Sequence, residues 1–238
     1  MKKIMFSTEL GLEQAVLDGR KTMTRRFVPE EVNEFLKTSS KAVLVIGNEI
    51  APTEEDVERI KTHWMCGGSL PQGVKEIKGE ISPEFVKLVI KKFSRYKVGE
   101  KIAVAQRYQD LKAVAPPELC EKLAAYSGSK GWDNKMYVKA SEMQHFIEIT
   151  NIRLEPVQDI SDEDCIQEGI YSHTVWSGSA YDMPLTSYSY NAKKDHDVKR
   201  WWYNNPRAAF AALIDKLYGK DTWNSNPFTF VYEFKLIK

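Results

Sequence analysis

From Phe228 to the end the chain alternates. Phe228, Phe230, Tyr232, Phe234 and Leu236 fall on one parity, and Thr229, Val231, Glu233 and Lys235 on the other. Period two over such a run is the mark of a partly buried strand. Just upstream, Asn205 and Pro206 supply an N-cap and a first-turn proline. Phe210, Leu213, Ile214 and Leu217 then recur at helical spacing, and Gly219 closes the run. A core helix feeding a strand that edges or closes a sheet predicts an α+β fold.

Other segments fit that class. Val98-Gly99-Glu100 followed by Lys101–Val104 reads as a turn feeding a strand, and Phe146–Leu154 as a longer strand. Ser161-x-x-Asp164 is a capping box opening a short helix that Gly169 stops, which places Glu168 at a helix end. Between Pro29 and Phe93 the pattern predicts helical patches with polar connections, including Thr53-Glu-Glu-Asp and a helix beginning at Ser82-Pro83.

Composition sets limits on partners and compartment. With 238 residues, 42% of them hydrophobic, the chain can bury a sizeable core. Its net charge of only +1 means that a nucleic acid would be held by a local patch and not by bulk attraction. Cys66, Cys120 and Cys165 are widely spaced and form no Cys-x-x-Cys pair, against both a disulfide scaffold and a zinc ribbon. A reducing, cytoplasmic setting is expected. No stretch approaches the roughly 20 apolar residues of a membrane span, so neither membrane insertion nor secretion is expected. His63 and Cys66 are two possible metal ligands without a matching second pair, and no metal or cofactor is predicted.

The densest chemistry lies in Gly19-Arg20-Lys21-Thr22-Met23-Thr24-Arg25-Arg26. A short helix precedes it, with Ser7 or Thr8 as the N-cap, Leu12, Ala15 and Val16 as the apolar stripe and Gly19 as a left-handed C-cap. A basic run after a helix can be a solvated face that complements the helix dipole. It can also be a site, because a lysine and a threonine three residues apart approach each other and a desolvated lysine can deprotonate a hydroxyl.

Gly19-x-Lys21-x-x-Thr24-x-Arg26 after its helix resembles the opening motif of the ASCH domain, a family with a PUA-like β-barrel. The likeness continues at Tyr96–Ile102, at Glu148-Ile149-Thr150 through Val157–Ser161, at Glu163-Asp164 with Glu168-Gly169-Ile170, and at Trp223-Asn224, Asn226-Pro227-Phe228 and Glu233-Phe234-Lys235. In that order the pieces resemble the phage-associated ASCH proteins. They cover about 1–28, 95–112, 132–170 and 206–238. The resemblance implies a single PUA-like domain over 1–238 with insertions at about 30–94 and 171–205.

For function the resemblance implies nucleic-acid binding, RNA foremost, or binding of a modified nucleoside. The cleft beside the first helix would hold the ligand through Arg20, Thr22, Arg25 and Arg26, with Lys21 adding charge. The alternative it implies is an enzyme, since small ASCH proteins similar in this motif are acetylcytidine amidohydrolases with a lysine, a threonine and a glutamate as their catalytic set. These map onto Lys21, Thr24 and Glu168. A third implication is a protein-interaction module of a phage or mobile element. Two departures stand out: Ala105-Gln106-Arg107-Tyr108 lacks a glutamate that relatives carry, and Glu142 stands where an arginine is common.

Tyr171–Tyr203 holds eight aromatics with Lys193, Lys194, Lys199 and Arg200 among them. Such a segment can stack bases, or its aromatics can pack onto the sheet. Lys21→Ala is expected to weaken ligand binding or activity with little change in the thermal midpoint, as a cleft lysine would.

Overall fold

A computed structural model of the chain describes residues 1–39, 43–46, 74–77, 83–175, 185–191 and 202–237. Its strands are β1 (Lys3–Ile4), β2 (Met23–Phe27), β3 (Val43–Ile46), β4 (Val74–Ile77), β5 (Lys101–Val104), β6 (Phe146–Pro156), β7 (Tyr171–Val175), β8 (Leu185–Ser189) and β9 (Phe228–Ile237). The helices are α1 (Leu12–Leu17), α2 (Glu30–Ser39), α3 (Pro83–Phe93), α4 (Tyr108–Val114), α5 (Pro117–Ala124), α6 (Lys130–Asp133), α7 (Asp162–Gln167), α8 (Pro206–Tyr218) and α9 (Thr222–Ser225). The class is α+β, as the alternating terminus predicts.

Five strands form the main sheet in the order β1-β5-β6-β9-β2, parallel at β1/β5 and antiparallel elsewhere. Its edges, β1 and β2, are not paired with one another, so among the described residues the sheet is open and not a closed barrel. β9 lies between β6 and β2, and its first five residues are all buried, whichever face they point to. The terminal strand is therefore interior, which is why its polar-parity residues Thr229 and Val231 are as buried as the aromatics.

A one-residue shift of register in β6 falls between Ile149 and Asn151. Ile147 and Ile149 precede it and Ile152 and Leu154 follow. An extra residue at that point keeps both apolar pairs on one side despite the broken period, the usual service of a bulge. The main core gathers Ile147, Ile149, Phe230, Tyr232 and Phe234 from the sheet with Phe210, Leu213 and Ile214 from α8. A second, smaller core forms under α4 and α5 around Tyr108, Leu111 and Leu123.

Caps are placed where the sequence puts them at two helices. The Ser161 hydroxyl accepts from the Asp164 amide at 3.1 Å, and the Asn205 side chain from the Ala208 amide at 2.7 Å. At α1 the start is later than predicted, with Gly11 as N-cap and the Ser7 carbonyl accepting from Leu12. The reading of 29–93 as helical patches finds α2 and α3 but misses β3 and β4, an antiparallel pair. Thr53-Glu-Glu-Asp, His63–Gly68 and Ser82 lie outside the described residues. Of the aromatic segment, β7 pairs with β8, and Tyr188, Tyr190 and Tyr203 pack against the main core. Trp176, Tyr181, Trp201 and the four cations of that segment lie outside the described residues. Among the described residues no helix is long and apolar enough to cross a membrane.

Candidate functional site

The Gly19–Arg26 segment becomes a turn and then an edge strand. Gly19 adopts φ +74°, in the left-handed region that a C-cap glycine serves. Immediately after it the Lys21 amide donates to the Ala15 carbonyl at 2.8 Å and the Thr22 amide to Gln167 at 3.0 Å. The backbone of the motif is thus tied to both α1 and α7. Gly169, with φ +98°, has its missing side chain facing the stem of Lys21: a Cβ there would lie 3.4 Å from Lys21 Cδ and 3.2 Å from Leu12 Cδ2. Glycine suits position 169 through that positive φ, while an added Cβ would crowd Leu12 and only touch the lysine stem.

That stem ends in a buried ion pair. Lys21 Nζ donates to Glu168 Oε2 at 2.7 Å and to the Glu168 carbonyl at 2.6 Å, with both side chains at most 5% exposed. The carboxylate's other oxygen, Oε1, accepts from Arg25 Nη1 at 3.3 Å. Arg25 continues the chain of charges, donating to Glu155 and, at 3.1 Å, to Asp164. Arg153 also donates to Asp164, at 2.8 Å, and pairs with Glu155 and Glu233. Strand register explains the meeting: Arg25 and Arg153 both stand opposite Val231 of β9, one on each side, so they share a row and a face.

A cavity of about 180 Å³ opens beside β2, bordered by Lys21, Thr24, Arg25, Arg26 and Glu168 on one side and by α8 on the other. Side chains from both faces of β2 border it because β2 is an edge strand. Thr24 is 2% exposed, and among the described residues its hydroxyl meets no hydrogen-bond partner. Arg26 lies nearer the mouth, donating to the Met5 carbonyl at 2.8 Å and to the Tyr218 hydroxyl at 3.3 Å.

Charge states follow from these surroundings. Burial draws the Lys21 ammonium below the usual lysine pKa; Glu168 pulls the other way without cancelling it, and Arg26 and Arg25 add to the lowering. Burial works against the Asp164 carboxylate, but hydrogen bonds from Arg153 and Arg25 outweigh it and hold the group below the ordinary range. For Arg25, burial is likewise outweighed, by Glu168 and Glu155, and its pKa rises. Cys165, fully buried nearby, has its thiol pushed up to about 12 by desolvation and is no nucleophile.

The structure brings together five of the seven residues singled out in the sequence: Lys21, Thr24, Arg25, Arg26 and Glu168. Arg20 and Thr22 do not border the cavity. Arg20 is exposed beside Asp18 at 3.3 Å, and Thr22 is held by its backbone to Gln167 and Phe234. The two departures from the family pattern also lie away from it: Gln106 is buried against His145 and Glu13, and Glu142 pairs with Lys122. Glu155, Arg153 and the α8 wall were missed. Asp164 was read only as a capping residue, whereas its carboxylate is spent on two arginines. The expectation for Lys21→Ala is revised, since a lysine 2% exposed in an ion pair is not a solvated cleft residue. Among the described residues no group of three His, Cys, Asp or Glu side chains is placed to hold a metal ion. Compared with protein-family models, curated proteins and solved structures, the chain returns no match.

Proposed function

We propose that the chain is an ASCH-type, PUA-like domain whose cavity takes a nucleoside-type ligand and hydrolyses an acyl amide on it. One observation carries the reading: Lys21 and Thr24, neighbours in one motif, and Glu168, far from them in sequence, border a single cavity, with Lys21 bonded to Glu168 and the Thr24 hydroxyl without a partner among the described residues. A nucleophile, a base and a group that orients the base are the parts such chemistry needs. On this reading 30–94 and 171–205 are insertions into one cytoplasmic domain.

Both hydrogen bonds from Lys21 Nζ go to Glu168. A neutral amine has two N–H donors and one lone pair. With both donors engaged by Glu168, the lone pair is left to accept the Thr24 proton. The Thr24 oxygen attacks the amide carbon as its proton passes to Lys21. The C–N bond then breaks, the departing nitrogen takes that proton, and the acyl group remains on Thr24 as an ester. Water attacks the ester, its proton passing through Lys21 to the Thr24 oxygen, and the acid leaves. The lowered pKa of Lys21 favours the amine form that the first step requires.

The nucleic-acid reading takes a narrower form, because a cavity of this size admits one base-sized group and not a strand. Incubating the protein and a Thr24→Ala variant with acetylcytidine and a panel of acylated nucleosides, with chromatography of the products, tests the proposal. Cytidine released by the wild type and not by the variant supports it. A well-folded wild type that releases nothing shifts the weight to binding alone.

A further inference from the structure

Three carboxylates around β2 are each shared between two cations. Glu168 accepts from Lys21 Nζ at 2.7 Å through Oε2 and from Arg25 Nη1 at 3.3 Å through Oε1. Asp164 Oδ2 accepts from Arg25 Nη2 at 3.1 Å and from Arg153 Nη2 at 2.8 Å. Glu155 accepts from Arg25 Nη2 through Oε1 and pairs with Arg153 Nη1 at 3.3 Å through Oε2. The cations thus form a row, Arg153, Arg25 and Lys21, whose side chains are 37%, 1% and 2% exposed. Lys21, Arg25 and Glu168 border the cavity, whereas Arg153, Glu155 and Asp164 do not.

A lysine alone with a buried glutamate is held as an ammonium, because the whole charge of the carboxylate favours that form. A guanidinium keeps its own charge at any working pH and only donates. Bonded to Oε1, Arg25 takes up part of the Glu168 charge and leaves Oε2 to the lysine. The same bond holds the carboxylate against rotation. Burying Arg25 is costly unless its other nitrogens are paired, and Glu155 and Asp164 both bond to Nη2. Arg153 binds each of those two carboxylates in turn, so neither draws Arg25 off Glu168. The charged groups acting on Lys21 are Glu168, which favours the ammonium, and Arg26 and Arg25, which disfavour it. Arg26 bonds to the Met5 carbonyl and the Tyr218 hydroxyl, so of the two arginines Arg25 is the one that reaches the lysine through its counterion.

We propose that Arg25 is a positioning residue for Lys21: it fixes and partly neutralises the lysine's counterion Glu168, and Arg153, Glu155 and Asp164 hold Arg25 to that task. Arg25 stands at an open position of the pattern Gly19-x-Lys21-x-x-Thr24-x-Arg26. The catalytic consequence rests on the reading of Lys21 as the base, whereas the hold on its charge does not.

NMR titration of protein carrying carbon-13 at lysine Cε reads that hold without turnover. The Lys21 signal is identified by its loss in Lys21→Met, and near-ultraviolet circular dichroism reports folding. In Arg25→Gln the Lys21 midpoint is expected to rise by about one pH unit or more. In Arg153→Gln it should rise by less, in the same direction. A row that is only structural would lower the thermal midpoint of both variants and leave the Lys21 titration where it is. That result, or a downward shift, overturns the proposal. Arg153 is the more exposed of the two, and Arg153→Gln decides the matter if Arg25→Gln does not fold. With acetylcytidine, the rising limb of kcat/KM should move up with the midpoint while KM changes by less than about threefold. The two readings fail separately. A midpoint that moves in a protein that turns over nothing sinks the hydrolase and leaves the hold of Arg25 on the lysine. Turnover whose limb and Lys21 midpoint ignore both substitutions does the reverse.

Discussion

Two lysine–glutamate pairs in this molecule, one buried and one part-buried, have the same bond length and different surroundings. Lys21 meets Glu168 at 2.7 Å and Lys135 meets Glu13 at 2.7 Å. Lys135 spends its donors on three separate acceptors, the Phe6 carbonyl, Thr8 Oγ1 and Glu13 Oε2, and so ties the loop after β1 to α1. Its partner Glu13 is further engaged by Thr8, and Gln106 links the cluster on to His145. Lys21 gives both its bonds to one residue and borders a cavity beside a hydroxyl, that of Thr24, without a partner among the described residues. A saturated pair fixes structure, whereas one with spare valence beside a cavity is available for chemistry.

The sharpest way to break that contrast is by activity. Thr24→Ala is expected to lower turnover of an acylated nucleoside by at least about a thousandfold. Lys135→Met, which removes the structural pair, should leave turnover of the folded protein within about threefold of wild type, assayed well below its thermal midpoint. Equal losses in the two variants would erase the distinction.

Stability should rank the pairs the other way. Lys135→Met leaves Glu13 buried without a cation and is expected to cost about 3 kcal/mol. Lys21→Met is expected to cost about 1–2 kcal/mol, because Glu168 keeps its bond to Arg25. Chemical denaturation of the two variants beside wild type gives both numbers, and a larger loss at Lys21 would show that its pair is the structural one.

The pH dependence is a smaller effect and a specific one. Lys21 must be neutral to accept a proton, so kcat/KM should rise with pH through an apparent pKa below the usual 10.5. Glu168→Gln removes the charge that opposes the lowering, and the rising limb should move to lower pH. Lys21 also sheds its proton earlier in the folded than in the unfolded chain. Between those two pKa values the unfolded state binds more protons, so stability should increase with pH there. A limb unmoved by Glu168→Gln would remove Lys21 as the base. The smallest effect belongs to Arg20→Ala: its exposed pair with Asp18 should be worth about 0.5 kcal/mol or less in the same denaturation experiment.

Much of this was legible locally. Gly19 and Gly219 close their helices, Ser161 and Asn205 cap theirs, and the alternation of 228–236 marks a strand, because each signal is carried by residues near in sequence. What was illegible depends on pairings across the chain. Met23–Phe27 looks like a basic turn until β9 is placed beside it, and only the registers of β2 and β6 on β9 show that Arg25 and Arg153 share a row. The motif found Lys21, Thr24 and Glu168 but could not separate Arg26, at the mouth, from Arg25, whose side chain is 1% exposed and committed to Glu155, Asp164 and Glu168. The helical stripe of α8 was visible as a core face, yet nothing in its spacing says that its last turn lines a cavity.

The most direct measurement is intact-protein mass spectrometry during turnover of an acylated cytidine by wild type and Thr24→Ala, with cytidine release followed in parallel. The account predicts a transient gain of one acyl group located at Thr24, decaying as the acid is released, and neither adduct nor cytidine from the variant. Cytidine released equally by both proteins, or none from well-folded wild type, would contradict it.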